Sequence, residues 1–188
     1  MAELILYHHA QGLTPGIHLF AESLREAQHV VHTPDLYDGG TFPDVSSGVA
    51  HAKEIGFDAI VQRGVAAATE LPNSLVYAGF SLGVLPAQKL TQNRSGARGA
   101  LLYHAGSPTT RYGSPWPGGV PLQLHAMADD DWCDLTGMQD LQNEVEGAEL
   151  YVYPGSGHLF ADSSVADFEP EAARLLLQRT LEFLDPIE

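Results

Sequence analysis

A single cysteine, Cys133, occurs in the 188 residues, so no disulfide can form within the chain. That usage suits a reducing, cytoplasmic setting. Basic side chains are also scarce. Nine Lys and Arg stand against twenty-four Asp and Glu, a formal charge of −15. Such a surface repels phosphate backbones and anionic lipid, which argues against nucleic-acid and membrane partners. It also disfavours a strongly anionic substrate unless basic groups converge locally. Long apolar runs are missing: none approaches the roughly 20 residues that cross a bilayer, and Met1-Ala2-Glu3-Leu4 does not read as a signal peptide. No repeat, low-complexity tract or linker breaks the chain, so residues 1–188 are expected to form one domain.

What is present is a globular composition, 44% hydrophobic, in which short β-type runs alternate with helical patterns. Leu4 to His8 is a continuous apolar run of the kind buried in a parallel sheet. Thr14-Pro15 follows as an N-cap with proline in the first helical position, and Ile17, Phe20, Ala21 and Leu24 form one apolar helix face. His29 to Thr33 reads as a second strand. A long helical stretch then splits near Gly56, with Phe57, Ile60, Val61, Gly64 and Val65 on one stripe. Ser74 to Phe80, Gly99 to His104, Pro121 to Ala126 and Glu149 to Tyr153 are four further strands. Leu82 to Gln92, the Met138-Leu141-Val145 pattern and a segment opened by Pro170 are helices. The expectation is a doubly wound α/β domain: a mostly parallel sheet of about six strands, helices on both faces and no separate lid domain. Gly106 to Gly119 lacks helical periodicity and is expected near the open end of the sheet, where loops of that length are often functional.

Gly79-Phe80-Ser81-Leu82-Gly83 matches a nucleophile elbow. A serine on a sharp strand-to-helix turn has strained backbone angles, small neighbours let the turn pack, and the N–H of Leu82 is aimed at a developing oxyanion. Composition alone would produce the pattern in roughly one such chain in ten. Its weight comes from context: an apolar strand leads into it and a helix follows. Pro86 sits awkwardly about one turn into that helix. A serine hydroxyl needs a base within hydrogen-bond reach, and Tyr153-Pro154-Gly155-Ser156-Gly157-His158 supplies one after the last strand. The acid should follow the preceding strand, where Asp129, Asp130 and Asp131 are consecutive. Spacing alone does not choose among them.

These residues resemble the dienelactone hydrolase family, a compact branch of the α/β-hydrolases. The resemblance runs from the first strand to the last helix, through Gln11-Gly12, Pro34-Asp35-Leu36-Tyr37, the serine pentapeptide, His125 to Asp130, and Tyr153-Pro154-Gly155 with His158-Leu159-Phe160. It implies Asp130 as the acid, five residues after His125, with Asp129 as runner-up. It also implies a second oxyanion donor at the backbone of Ala10 or Gln11, and a sheet with fewer strands at its beginning than the family's. Two features depart from the namesake enzymes. They use cysteine where this chain has Ser81, and they place an arginine for a substrate carboxylate where this chain has Asp162. A carboxylated lactone is therefore expected to be a poor ligand.

The expected activity is hydrolysis of small carboxylic esters, lactones or thioesters, with Ser81, His158 and Asp130 as the triad and no cofactor or metal. Trp116, Trp132 and Tyr103 are candidate walls of a small acyl pocket. Two other readings compete. One is a non-catalytic ligand-binding protein on the same scaffold. The other is a metal enzyme using His8, His9, His104 and His125, which has weak support because adjacent strand residues face opposite sides and no spacing matches a zinc motif.

Overall fold

The structure, a computed structural model, describes residues 1–187. Its core is a six-stranded parallel sheet in the order β2-β1-β3-β4-β5-β6. The strands are β1 (Glu3–Tyr7), β2 (Val30–His32), β3 (Val76–Phe80), β4 (Gly99–Tyr103), β5 (Leu122–Met127) and β6 (Glu149–Tyr153). The four inner strands are buried almost throughout because both of their faces are covered; β1, β3 and β4 are mainly apolar, whereas β5 also buries Gln123 and His125. The edge strands β2 and β6 keep exposed positions.

The helices are α1 (Pro15–Glu26), α2 (Val45–Ile55), α3 (Phe57–Ala67), α4 (Val84–Asn93), α5 (Leu135–Glu144) and α6 (Pro170–Leu184). One core layer packs Ile17, Phe20 and Leu24 of α1 and Leu176 of α6 against Leu4, Leu6 and Val76. The opposite layer packs Ile60 of α3, Ala87 and Leu90 of α4 and Met138 and Leu141 of α5 against Ile5, Tyr77 and Leu102. This is the doubly wound arrangement that the alternating pattern implies.

Local chemistry sets the helix starts. The Thr14 hydroxyl accepts from Ile17 N (3.3 Å) with Pro15 behind it, and Asp44 accepts from Ser47 N (2.7 Å). Gly56, at φ 90°, separates α2 from α3. Pro86 causes no break. Ser81–Gly83 forms a 3-10 turn and α4 begins only at Val84, so the missing N–H falls in its first turn, where no helical acceptor is needed.

After β1 the chain goes to β2 on one side and then returns to β3 on the other. The crevice beyond the carboxyl ends of β1 and β3 is therefore the topological switch point, where open α/β sheets bind ligands. The loop holding Ala10 and the turn holding Ser81 both open onto it.

The segment Gly106 to Gly119 departs from expectation. It leaves β4 at the open end but does not stay there. Parallel strands require each connection to return to the sheet's other end, and here an irregular segment with a 3-10 turn at Thr109–Tyr112 makes that return in place of a helix.

Candidate active site

Ser81 has φ 49°, a left-handed conformation that is unusual for a residue with a side chain. The flanking glycines make the turn possible. A Cβ at Gly79 would lie 2.2 Å from Gly83 O, and one at Gly83 would lie 2.5 Å from Tyr7 O. The elbow therefore packs backbone to backbone against the end of β1.

The Ser81 hydroxyl lies 2.7 Å from His158 Nε2, and His158 Nδ1 lies 2.7 Å from Asp130 Oδ2. A carboxylate can only accept, so Nδ1 carries the proton, Nε2 is the acceptor, and the serine hydroxyl donates to it. The other Asp130 oxygen accepts from Trp132 N at 2.9 Å. Asp130 and His158 are buried, whereas Asp129 and Asp131 are exposed. Strand pairing sets this choice. Ala128 N donates to Tyr153 O (2.9 Å) and Asp129 N to Gly155 O (3.0 Å), which fastens the aspartate loop to the histidine loop and turns the next side chain inward.

Opposite the elbow lies the loop after β1. The Gln11 N–H, one of the two implied donors, is directed at His9 Nδ1 (3.2 Å). Gly48 of α2 packs so closely that a Cβ there would fall 2.1 Å from Ala10 O. Behind this loop is a feature that sequence reasoning did not reach. His9 Nε2 donates to Asp162 Oδ2 at 2.7 Å, with both side chains buried. The same carboxylate accepts from Thr14 Oγ1 and from the N–H and Oγ of Ser164 (2.7 and 2.6 Å). Burial pushes the Asp162 carboxyl up, but these donors outweigh it and hold it down at about 2. Asp162 thus braces the Ala10 loop from the segment that carries His158. No local signal could have announced a contact spanning that much chain.

His8 and His125 are committed elsewhere. His8 donates from Nδ1 to His9 O (2.7 Å) and accepts from Leu36 N (2.9 Å); burial pushes its pKa down to about 4. His125 lies between the Tyr153 hydroxyl (2.9 Å) and Gln123 Oε1 (2.8 Å), pushed by burial down to about 3. His104 is buried beside His158, ring centres 5.9 Å apart, with both ring nitrogens unpartnered among the described residues and its pKa driven well down by burial. Among the described residues, no three His, Cys, Asp or Glu side chains converge to hold a metal ion.

The three proposed wall residues fare differently. Trp132 is exposed, and its ring centre lies 6.4 Å from that of His158, at the mouth of the site. Tyr103 is instead a core residue. It stacks on Phe80 at 4.4 Å and shares a hydrogen bond with Thr180 of α6, because its position on β4 faces the α1–α6 layer. Trp116 lies at the far end of the sheet, its indole donating to Val120 O (2.8 Å) beside Glu144 and Val145, since the β4–β5 connection has descended by that point. Cys133 is half-buried against Met138, with burial raising its thiol to about 12 and Asp130 and Asp134 adding to the effect.

A parallel sheet wound on both faces, with a serine, an imidazole and a carboxylate aligned at its switch point, defines an α/β-hydrolase. The sequence model of the dienelactone hydrolase family matches residues 3–188, and the chain belongs to that family. Solved structures with the same fold include a dienelactone hydrolase-like promiscuous phosphotriesterase from metagenomic libraries (14% identity, TM-score 0.74, covering 100% of this chain and 87% of that one). A dienelactone hydrolase from Anabaena variabilis is 17% identical (TM-score 0.68, 100% and 87%). A cold-adapted esterase from an Arctic intertidal metagenomic library is 18% identical (TM-score 0.69, 100% and 84%). No curated protein matches the chain. The family supports an enzyme that hydrolyses ester-type substrates.

Proposed function

We propose that this protein is a serine hydrolase of small, uncharged carboxylic esters, working through an acyl-enzyme on Ser81. The observation that carries the reading is the unbroken line from Ser81 Oγ through His158 to Asp130, 2.7 Å at each step. Ser81 Oγ attacks the carbonyl carbon while His158 Nε2 takes the hydroxyl proton, and Asp130 holds the resulting imidazolium. The carbonyl oxygen becomes an oxyanion facing the N–H groups of Leu82 and Ala10, donors of a kind whose single loss typically costs about 3–4 kcal/mol in the transition state. Collapse expels the alkoxide, which takes the proton from His158. A water, deprotonated by His158, then attacks the acyl carbon, and Ser81 leaves with that proton. The products are an alcohol and a carboxylic acid.

Asp129 and Asp131 stand exposed beside the site, and Asp162 fills the position of the namesakes' arginine, so a neutral ester is favoured over a carboxylated lactone. Trp132 would lie against the substrate at the mouth. Among the described residues no helix is long and apolar enough to cross a membrane, and a cytoplasmic setting is part of the proposal, on the strength of the lone cysteine.

The test is labelling by a fluorophosphonate, comparing the native protein with folded Ser81→Ala and His158→Ala, followed by a panel of esters with one phosphotriester. Labelling that needs both residues is expected. Asp130→Asn should lower kcat by about 10³–10⁴-fold, and Asp129→Asn by less than about twofold. A folded native protein that takes no label would sink the hydrolase reading and favour a binding protein on this scaffold.

A further inference from the structure

The β4–β5 segment plays no part in the chemistry above, yet it is firmly fastened. Gln88 and Gln92 are buried on α4. Gln88 Nε2 donates to Ser107 O (2.6 Å), and Ser107 N donates back to Gln88 Oε1 (3.1 Å). Gln92 Nε2 donates to Thr109 O (2.9 Å) and to Ser114 O. Thr109 N donates to the Glu144 carboxylate at 2.7 Å. Two buried amides thus hold the Thr109–Tyr112 turn against α4, and beside it a cleft of about 690 Å³ opens toward α3.

The cleft has a mixed lining. Phe57 and Val61 of α3 and Leu85 of α4 are its apolar walls, and Phe57 is 39% exposed. Lys89 and Arg111 flank the Tyr112 ring, with Nζ and Cζ at 6.0 and 5.8 Å from its centre. Among the described residues neither forms an ion pair, whereas Arg25, Arg63 and Arg174 each pair with a carboxylate. In a chain of charge −15, two cations on one cleft raise the positive potential there. Among the described residues the buried Tyr112 hydroxyl has no partner within hydrogen-bond distance, and Arg111 is the polar side chain beside it. Asp58 and Gln62 complete the lining. Two cations against one carboxylate leave a single net positive charge, which suits a monoanion better than a phosphate dianion.

We propose that this cleft binds a monocarboxylate with an apolar body, of the fatty-acid or arylcarboxylate class. Its hydrocarbon lies along Phe57, Val61 and Leu85, and its carboxylate sits between Lys89 and Arg111. Leu85 is only about one helical turn from Ser81, but Ser81 does not line the cleft, so the site is distinct and does not depend on turnover at the serine.

Octanoate titrated into the whole protein by calorimetry at low salt tests this, with Lys89→Gln, Arg111→Gln and the double variant alongside. Each variant is first checked for a native melting profile and an unchanged fluorophosphonate labelling rate. The expected result is saturable octanoate binding that weakens about tenfold or more in the double variant. Binding of 1-octanol should be far weaker, and inorganic phosphate should not displace octanoate. Equal affinity in the double variant would place octanoate elsewhere, the serine site included, and overturn the proposal. So would equal binding of octanol, displacement by phosphate, or no binding at millimolar octanoate.

Discussion

Replacing Asp162 by asparagine should damage both stability and catalysis, in ways that pH can separate. The carboxyl falls from 3.8 to about 2 on folding because four donors from His9, Thr14 and Ser164 converge on it. A folded-state pKa below the unfolded value means that the ionised form stabilises the native state. That stabilisation, roughly 2 kcal/mol, is fully present above the unfolded value and is lost as pH falls through the folded one. Asparagine cannot reproduce it, since one end of its amide must present N–H groups to donors. The expected cost is therefore about 2–4 kcal/mol at pH 7. Urea denaturation of both proteins should show that gap constant between pH 5 and 7 and narrowing by roughly 1 kcal/mol at pH 3. Because Asp162 braces His9 and so the Ala10 loop, kcat should fall by about 10–100-fold with KM little changed, the mark of a donor that acts on the transition state. A gap below about 0.5 kcal/mol, or one independent of pH down to 3, would refute the assignment of Asp162 as the ionised centre of the network.

Two further outcomes follow from the same geometry. Gly83→Ala would place a Cβ 2.5 Å from Tyr7 O and 2.7 Å from His8 O, backbone atoms at and just past the end of β1. It should cost at least about 3 kcal/mol in chemical denaturation, and a near-native midpoint would show that the elbow is looser than described. Cys133, its thiol pushed by burial up to about 12, should react with an aromatic disulfide at pH 8 about a thousandfold more slowly than a free thiol until the protein unfolds. Labelling of the native protein at the free-thiol rate would contradict its burial.

Much of this molecule is legible in one dimension because its signals are local. Apolar runs bounded by turn residues mark the six strands, and Thr14-Pro15, Gly56 and Pro170 mark helix boundaries through backbone chemistry that acts within one turn. The same holds for Gly79 and Gly83: the constraint that a Cβ cannot fit is written beside the serine it serves. Chain order then places an acid-bearing loop and a histidine-bearing loop after β5 and β6.

What no local pattern could decide is contact across the sheet. Asp130 rather than Asp129 meets His158 because the pairing of β5 with β6 turns that side chain inward. Tyr103 faces α6 because of the strand's orientation between two helical layers. Trp116 lies far from Ser81 because a parallel connection must run back to the opposite end. Asp162 finds His9, and Lys89 reaches the Tyr112 ring, only once the strand order is in place. Periodicity and turn chemistry act over a few residues and can be read from the sequence. The meeting of distant side chains depends on strand order and register, which belong to the folded chain as a whole.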